Sequence, residues 1–109
     1  MENYSVLMSV YHKERPDWLK ISINSMMNQT ILTDDFVLIE DGPLTDELEL
    51  VVKEFEEAYP RIFNVVRLEH NLGLGLALAE GIKHCKNDMV VRMDSDDYSI
   101  PERLSLIHI

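Results

Sequence analysis

Three carboxylates fall within four residues in the run Asp94-Ser95-Asp96-Asp97. Acidic side chains this close repel one another unless a cation or hydrogen-bond donors sit among them. Hard oxygen ligands in a D-x-D spacing, Asp94 and Asp96, suit Mg2+ or Mn2+, above all when a diphosphate completes the coordination shell. The bland alternative is a solvated acidic turn in which an aspartate caps a helix opening at Pro101. A calcium loop of the EF-hand kind does not fit. With Asp94 in first place, the required glycine and glutamate positions hold Ser99 and Ser105.

Two further polar clusters share one feature with this run, since each directly follows a short apolar stretch. Ser9, Tyr11 and His12 come at or after SVLMSV (residues 5–10), and Glu40, Asp41 and Gly42 follow FVLI (residues 36–39). The Asn71-Leu72-Gly73-Leu74-Gly75 segment follows a third such stretch. It is no dinucleotide fingerprint, because the third glycine of that motif would fall at Leu78 and the motif belongs after the first strand. A tight turn into a helix is the expected role. The histidines at 12, 70, 84 and 108 share no ligand spacing, and neither a G-x-S-x-G nor a phosphate-binding P-loop is present.

The elements that must position these clusters can be read from periodicity. The apolar run at 5–10 suits a strand buried on both faces, and further strands are expected at 36–39, 63–66 and 89–93. Between them lie helical stripes. Leu19, Ile23, Met26 and Met27 follow a start at Pro16, and Leu48, Val51, Val52 and Phe55 follow a cap at Thr45. Pro60 ends the second helix. Leu74, Leu78, Ile82 and Cys85 are expected to form the inner stripe of a third, and Glu56 is expected to be exposed on the second. The β-α-β-α-β-α-β alternation with short loops predicts a parallel sheet covered by helices. In order 3-2-1-4, the ligand crevice would lie at the carboxyl ends of the first and fourth strands.

Composition narrows the partners. The 109-residue chain is 46% hydrophobic and carries 20 acidic against 10 basic residues, a net charge of −10. One ordinary globular unit is expected, and a nucleic-acid partner is disfavoured because phosphate contacts need clustered Lys and Arg. The single cysteine, Cys85, rules out an internal disulfide and a thiolate metal cage, and a buried structural thiol is expected. The first residues do not read as a signal peptide, and no apolar run approaches a membrane span. A cytoplasmic place is expected, with a peripheral position at the inner face of the membrane left open.

The segments VLMSVYHKE, INSMMNQT, VLIEDGPLTDE, NLGLGLALAEGI and VVRMDSDDYSIPERL, in that order, resemble the landmarks of family 2 glycosyltransferases across nearly residues 5 to 104. The resemblance implies a Rossmann-like GT-A nucleotide-diphospho-sugar transferase fold, truncated, with residues 1–109 as the N-terminal nucleotide-sugar-binding part. It also implies transfer of a sugar, expected from a UDP-sugar, to an acceptor hydroxyl with inversion, in polysaccharide biosynthesis. By the same resemblance Ser9 and Tyr11 receive the nucleotide, Asp41 binds the uracil edge, and Asn71 and Gly73 form a turn close to it. Asp94 lies near the ribose and the metal, and Asp96 lies on the Mn2+ or Mg2+ that bridges the diphosphate. Where the family commonly has Asp-Asp-Gly-Ser, this chain has Glu40-Asp41-Gly42-Pro43. No residue matches the acceptor-activating carboxylate, so the general base is expected in an absent half that would also meet the saccharide or lipid-linked acceptor.

Two rival readings remain. A nucleotidylyltransferase would carry a glycine-rich basic loop after the first strand, and Tyr11-His12-Lys13-Glu14-Arg15 has no glycine. A sugar-nucleotide-binding module without transferase activity is the non-enzymatic alternative. Ending at LSLIHI, the chain is expected to leave its fourth crossover unfinished. Val90, Val91, Leu104, Leu106 and Ile107 would then lie beside an uncovered apolar edge that favours self-association.

Overall fold

The computed structural model describes residues 3–28 and 33–94. Seven elements alternate along them: β1 (Tyr4–Val10), α1 (Pro16–Met27), β2 (Asp35–Glu40), α2 (Asp46–Ala58), β3 (Phe63–Arg67), α3 (Leu74–Ile82) and β4 (Met89–Asp94). The strands form one parallel sheet in the order β3-β2-β1-β4. This is the expected order.

Alternation within each strand divides the core into two layers. Tyr4, Val6, Met8 and Val10 of β1, Phe36 and Leu38 of β2, and Val91 and Met93 of β4 meet Leu19, Ile23 and Met26 of α1 and Leu48, Val52 and Phe55 of α2. The Phe36 ring stacks on Phe63 at 4.5 Å. Truncating the fully buried Phe36 to alanine would cost about 3–5 kcal/mol. On the opposite face Leu7, Val37, Ile39 and Val90 pack against Ala77 of α3.

Local chemistry sets the helix ends. Pro16 opens α1, where its missing N–H would have had no helical partner. Thr45 caps α2, its hydroxyl accepting from Leu48 N at 3.2 Å. Loss of such a cap costs about 1 kcal/mol.

Three expectations are corrected. The inner stripe of α3 is Ala77 and Gly81, flanked by the partly buried Leu78 and Cys85, whereas Leu74 and Ile82 are 49% and 57% exposed. Small residues are what allow this helix to approach. A Cβ at Gly81 would run into Leu7 Cδ1 and lie 2.9 Å from Ile39 Cγ1. Val90 and Val91 are buried, each on its own face of the sheet, so neither is uncovered. Glu56 is half-buried and ion-paired to Arg67 at 3.1 Å. The helix expected from Pro101, and Leu104, Leu106 and Ile107, lie outside the described residues.

The amino edge of the sheet carries a polar latch. Ser5 Oγ donates to Asp35 Oδ2 at 2.6 Å, and the same carboxylate oxygen accepts from Lys86 N at 2.9 Å. Asn87 N donates in turn to Ser5 Oγ at 3.1 Å, and Asn87 Nδ2 to Asp34 Oδ1 at 2.8 Å. Thr33 Oγ1 joins Tyr4 O at 2.8 Å. The loop entering β4 is thereby tied to the starts of β1 and β2. Cys85 sits above this latch with its thiol on Gly81 O at 3.6 Å, and burial raises the thiol pKa. Cys85 is partly buried, where a buried thiol was expected.

Candidate functional site

At the carboxyl edge, β1 and β2 end side by side, with Asp41 N donating to Val10 O at 2.8 Å. That bond sets Asp41 beside the chain that continues into Tyr11. Tyr11 is 38% exposed, with its ring edge-on to His12 at 5.7 Å. One residue before the end of β1, half-buried Ser9 is paired in register with Ile39 on one side and with Asp94 on the other. Asp94 closes β4, so the chain leaves the sheet there next to Ser9. Asp96 and Asp97 lie outside the described residues.

Asp41 is buried, and both of its carboxylate oxygens are engaged. Oδ1 accepts from Leu72 N at 2.7 Å and Oδ2 from Gly73 N at 3.1 Å. Asn71 Nδ2 reaches back to Asp41 O at 3.3 Å. One carboxylate therefore holds the whole turn that opens α3. Charge-assisted bonds of this kind are roughly twice as strong as neutral ones. The turn requires glycine, because Gly73 has φ 93° and Gly42 φ 88°. A Cβ on Gly42 would also lie 2.8 Å from Asn71 N.

Of the residues singled out from sequence, Asp41, Asn71 and Gly73 are thus in direct contact. Ser9, Tyr11 and the backbone of Asp94 share the same edge of the sheet. Asp41, bonded to Val10 O on one side and to the 71–73 turn on the other, links the two. An open cleft of about 280 Å³ lies beyond Tyr11 and His12, lined by Lys13, Glu14, Arg15 and Trp18. None of the assigned residues lines it.

Sequence reasoning missed a charged cluster behind Asp41. The Glu40 side chain, 4% exposed, points to the α2 layer, where Arg67 Nε lies 3.4 Å from its Oε2. Arg67 also binds Glu49 Oε1 at 3.1 Å and Glu56 Oε1 at 3.1 Å. Burial, and then the neighbouring Glu49, push the Glu40 carboxyl up to about 8. The surrounding carboxylates hold the Arg67 guanidinium more firmly charged than usual. A signal was present in the sequence. Glu49 and Glu56 stand seven apart on one helix face, and Arg67 ends an otherwise apolar-leaning strand.

Carboxylates suited to Mg2+ or Mn2+ are not clustered among the described residues. The donor set expected from the D-x-D chemistry is Asp94 with Asp96, and the described part of it is the end of β4 beside Ser9.

A parallel sheet in this order, with a carboxylate-held turn at its carboxyl edge, defines an open α/β architecture, the kind in which ligands bind where the strands end. The pattern of glycosyl transferase family 2 matches residues 5–107, and the chain belongs to that family. An uncharacterized glycosyltransferase of Haemophilus influenzae is 48% identical over 100 residues, covering 92% of this chain and 37% of the relative. The amylovoran biosynthesis glycosyltransferase AmsE of Erwinia amylovora is 42% identical over 100 residues, with coverages of 92% and 37%. Among solved structures, S. aureus TarS 1–349 in complex with UDP-GlcNAc superposes with a TM-score of 0.79 at 26% identity, covering 95% of this chain and 29% of that one. The Pyrobaculum calidifontis mannosyltransferase PcManGT, solved with GDP-Man and Mn2+, has a TM-score of 0.82 at 19% identity, over 94% and 30%; that likeness is one of fold. The chain spans 37% of the length of these two curated relatives.

Proposed function

We propose that this chain is the donor-binding part of a metal-dependent, inverting glycosyltransferase that takes a sugar from a nucleoside diphosphate, with UDP the expected nucleotide. The observation that carries the reading is the Asp41 carboxylate, buried between the end of β2 and the Asn71–Gly73 turn. Each of its oxygens keeps a free lone pair after accepting one backbone N–H, which leaves room for an N–H from a base edge. Tyr11, exposed at the end of β1, would pack its ring against that base. Ser9 and Asn71 would flank the ribose side, and Asp94 would stand between nucleotide and metal. The TarS complex with UDP-GlcNAc supports the nucleotide class.

Asp94 and Asp96 would hold Mn2+ or Mg2+, and structural neighbours solved with Mn2+ support a divalent ion. The ion, when bound, supplies Lewis-acid charge against the leaving diphosphate. Attack on the sugar needs a carboxylate that deprotonates the acceptor hydroxyl. We assign that base, and recognition of a saccharide or lipid-linked acceptor, to a part of the protein beyond this chain. The 109 residues then bind donor without transferring sugar. Among the described residues no helix is long and apolar enough to cross a membrane. We place the protein in the cytoplasm, at or near the inner membrane face, where a lipid-linked acceptor would be reached.

Titration calorimetry of UDP with and without Mn2+ tests the donor site. Affinity that rises with the cation supports the reading, and equal affinities would count against metal dependence. Transfer and donor hydrolysis assayed on the full-length gene product separate a transferase from a binder.

A further inference from the structure

We propose that Glu40, Glu49 and Arg67 form a proton-carrying brace that positions Asp41 and the Asn71–Gly73 turn, so that donor-site order depends on one proton held behind it. The consequence for binding rests on the donor-site reading above, whereas the brace itself does not.

The geometry starts from an excess of negative charge. Glu40, Glu49 and Glu56 converge on the single Arg67 guanidinium, at 3.4, 3.1 and 3.1 Å. Glu40 Oε2 and Glu49 Oε2 are both buried and receive no hydrogen bond from elsewhere in the protein. Two adjacent carboxylates in that position cannot both stay ionised without large cost. A proton shared between them satisfies the pair, and Glu40, the more buried partner, retains it at neutral pH. The other groups acting on the pair are few. Lys53 and Glu56 act from α2 and Arg67 from β3, and the β1 neighbour of Glu40 is the neutral Val10. On α1, Lys20 is engaged by Glu54 at 3.6 Å.

Residue 40 is also the joint between the brace and the site. Its carbonyl accepts from Gly42 N at 2.9 Å and from Leu68 N at 3.0 Å. It thus carries the loop containing Asp41 and the loop that leads to residues 71–73. A second charge on the Glu40–Glu49 pair would push α2 away from β2 and β3, and the displacement would reach Asp41 through one peptide unit. Asp41 is consequently a binding residue and Glu40 a positioning residue.

Carboxyl 13C NMR on the 109-residue chain, from pH 6 to 9.5, tests the brace without any ligand. The Asp41 carboxyl resonance should shift with a midpoint near that of Glu40, about 8. In Glu40→Gln, which keeps a donor to Glu49 but cannot ionise, that inflection should vanish. If Glu40→Gln does not fold, Glu49→Gln removes the like charge beside Glu40, and the Asp41 inflection should then move to lower pH; an inflection that stays in place overturns the brace. An Asp41 resonance flat across this range in the wild type overturns the proposal, as does an unchanged inflection in the variant. Calorimetry with UDP and Mg2+ reads the consequence. Wild-type affinity should fall about tenfold more than that of Glu40→Gln between pH 7 and 9, a difference of about 1.4 kcal/mol. Parallel pH profiles for the two proteins overturn the positioning role. Failure of UDP to bind either protein at pH 7 sinks the donor-site reading instead, and the carboxyl titration still decides the brace.

Discussion

The two ends of β2 carry buried carboxylates with opposite fates. At the amino end, Asp35 has its Oδ2 bonded to Ser5 Oγ and Lys86 N, and each partner is itself fixed by the fold. At the carboxyl end, Glu40 keeps an oxygen with no hydrogen bond, and both Asp41 carboxylate oxygens bond the Leu72–Gly73 backbone. Both ends join segments distant in sequence. The difference teaches where adaptability resides. A carboxylate locked by a static set of donors stabilises, whereas one balanced by shared protons and by spare lone pairs can respond to a ligand.

The comparison can be broken by removing each end separately. Asp35→Ala is expected to have the largest effect, because it strands Ser5 Oγ and Lys86 N without an acceptor. Two such losses amount to about 3 kcal/mol, and to a melting temperature lower by roughly 10–20 °C for a domain of this size. Thermal unfolding followed by circular dichroism measures it. UDP affinity of the fraction still folded should be unchanged, and a large loss of affinity would show that the two ends are not separable.

Asp41→Ala should lower stability less, by about 1.5–3 kcal/mol, and lower UDP affinity at least tenfold. Urea unfolding and calorimetry on the same sample give the two numbers. A stability loss with affinity retained would assign Asp41 to the turn alone. Asp96→Ala should remove most of the cation dependence of UDP binding, read by calorimetry with and without Mn2+. The exposed Glu57 is the proper control, since Glu56 is tied to Arg67.

Much of this molecule was legible beforehand because strands buried on both faces leave continuous apolar runs. SVLMSV suited a strand buried on both faces, and the alternation with helical stripes left few topologies. Asp41, Asn71 and Gly73 were legible through their place after strands, although their mutual contact was not. The latch at Asp35 stayed hidden because Ser5, Asp35 and Asn87 are brought together only by the parallel pairing. The face of α3 was misjudged for a related reason. Leu74 and Ile82 have the larger apolar side chains, but close approach to Leu7 and Ile39 selects Ala77 and Gly81. Glu56 was expected to be exposed because its partner Arg67 is brought to it only by the placing of β3 against α2.

The strand order has a consequence for how the chain is made. Ser5 of β1 pairs with Val90 of β4, and Tyr4 with Met89, although β1 leaves the ribosome first. At about 5–20 residues per second, β4 follows β1 by roughly 4–17 s. During that interval β1, β2 and β3 can already be laid side by side, because their connections are shorter. One flank of β1 must meanwhile stand open, with its backbone N–H and C=O groups available to any passing strand. The nascent protein therefore has a window of several seconds in which its central strand is an edge, and a chaperone or the emerging β4 must reach that edge before another chain does.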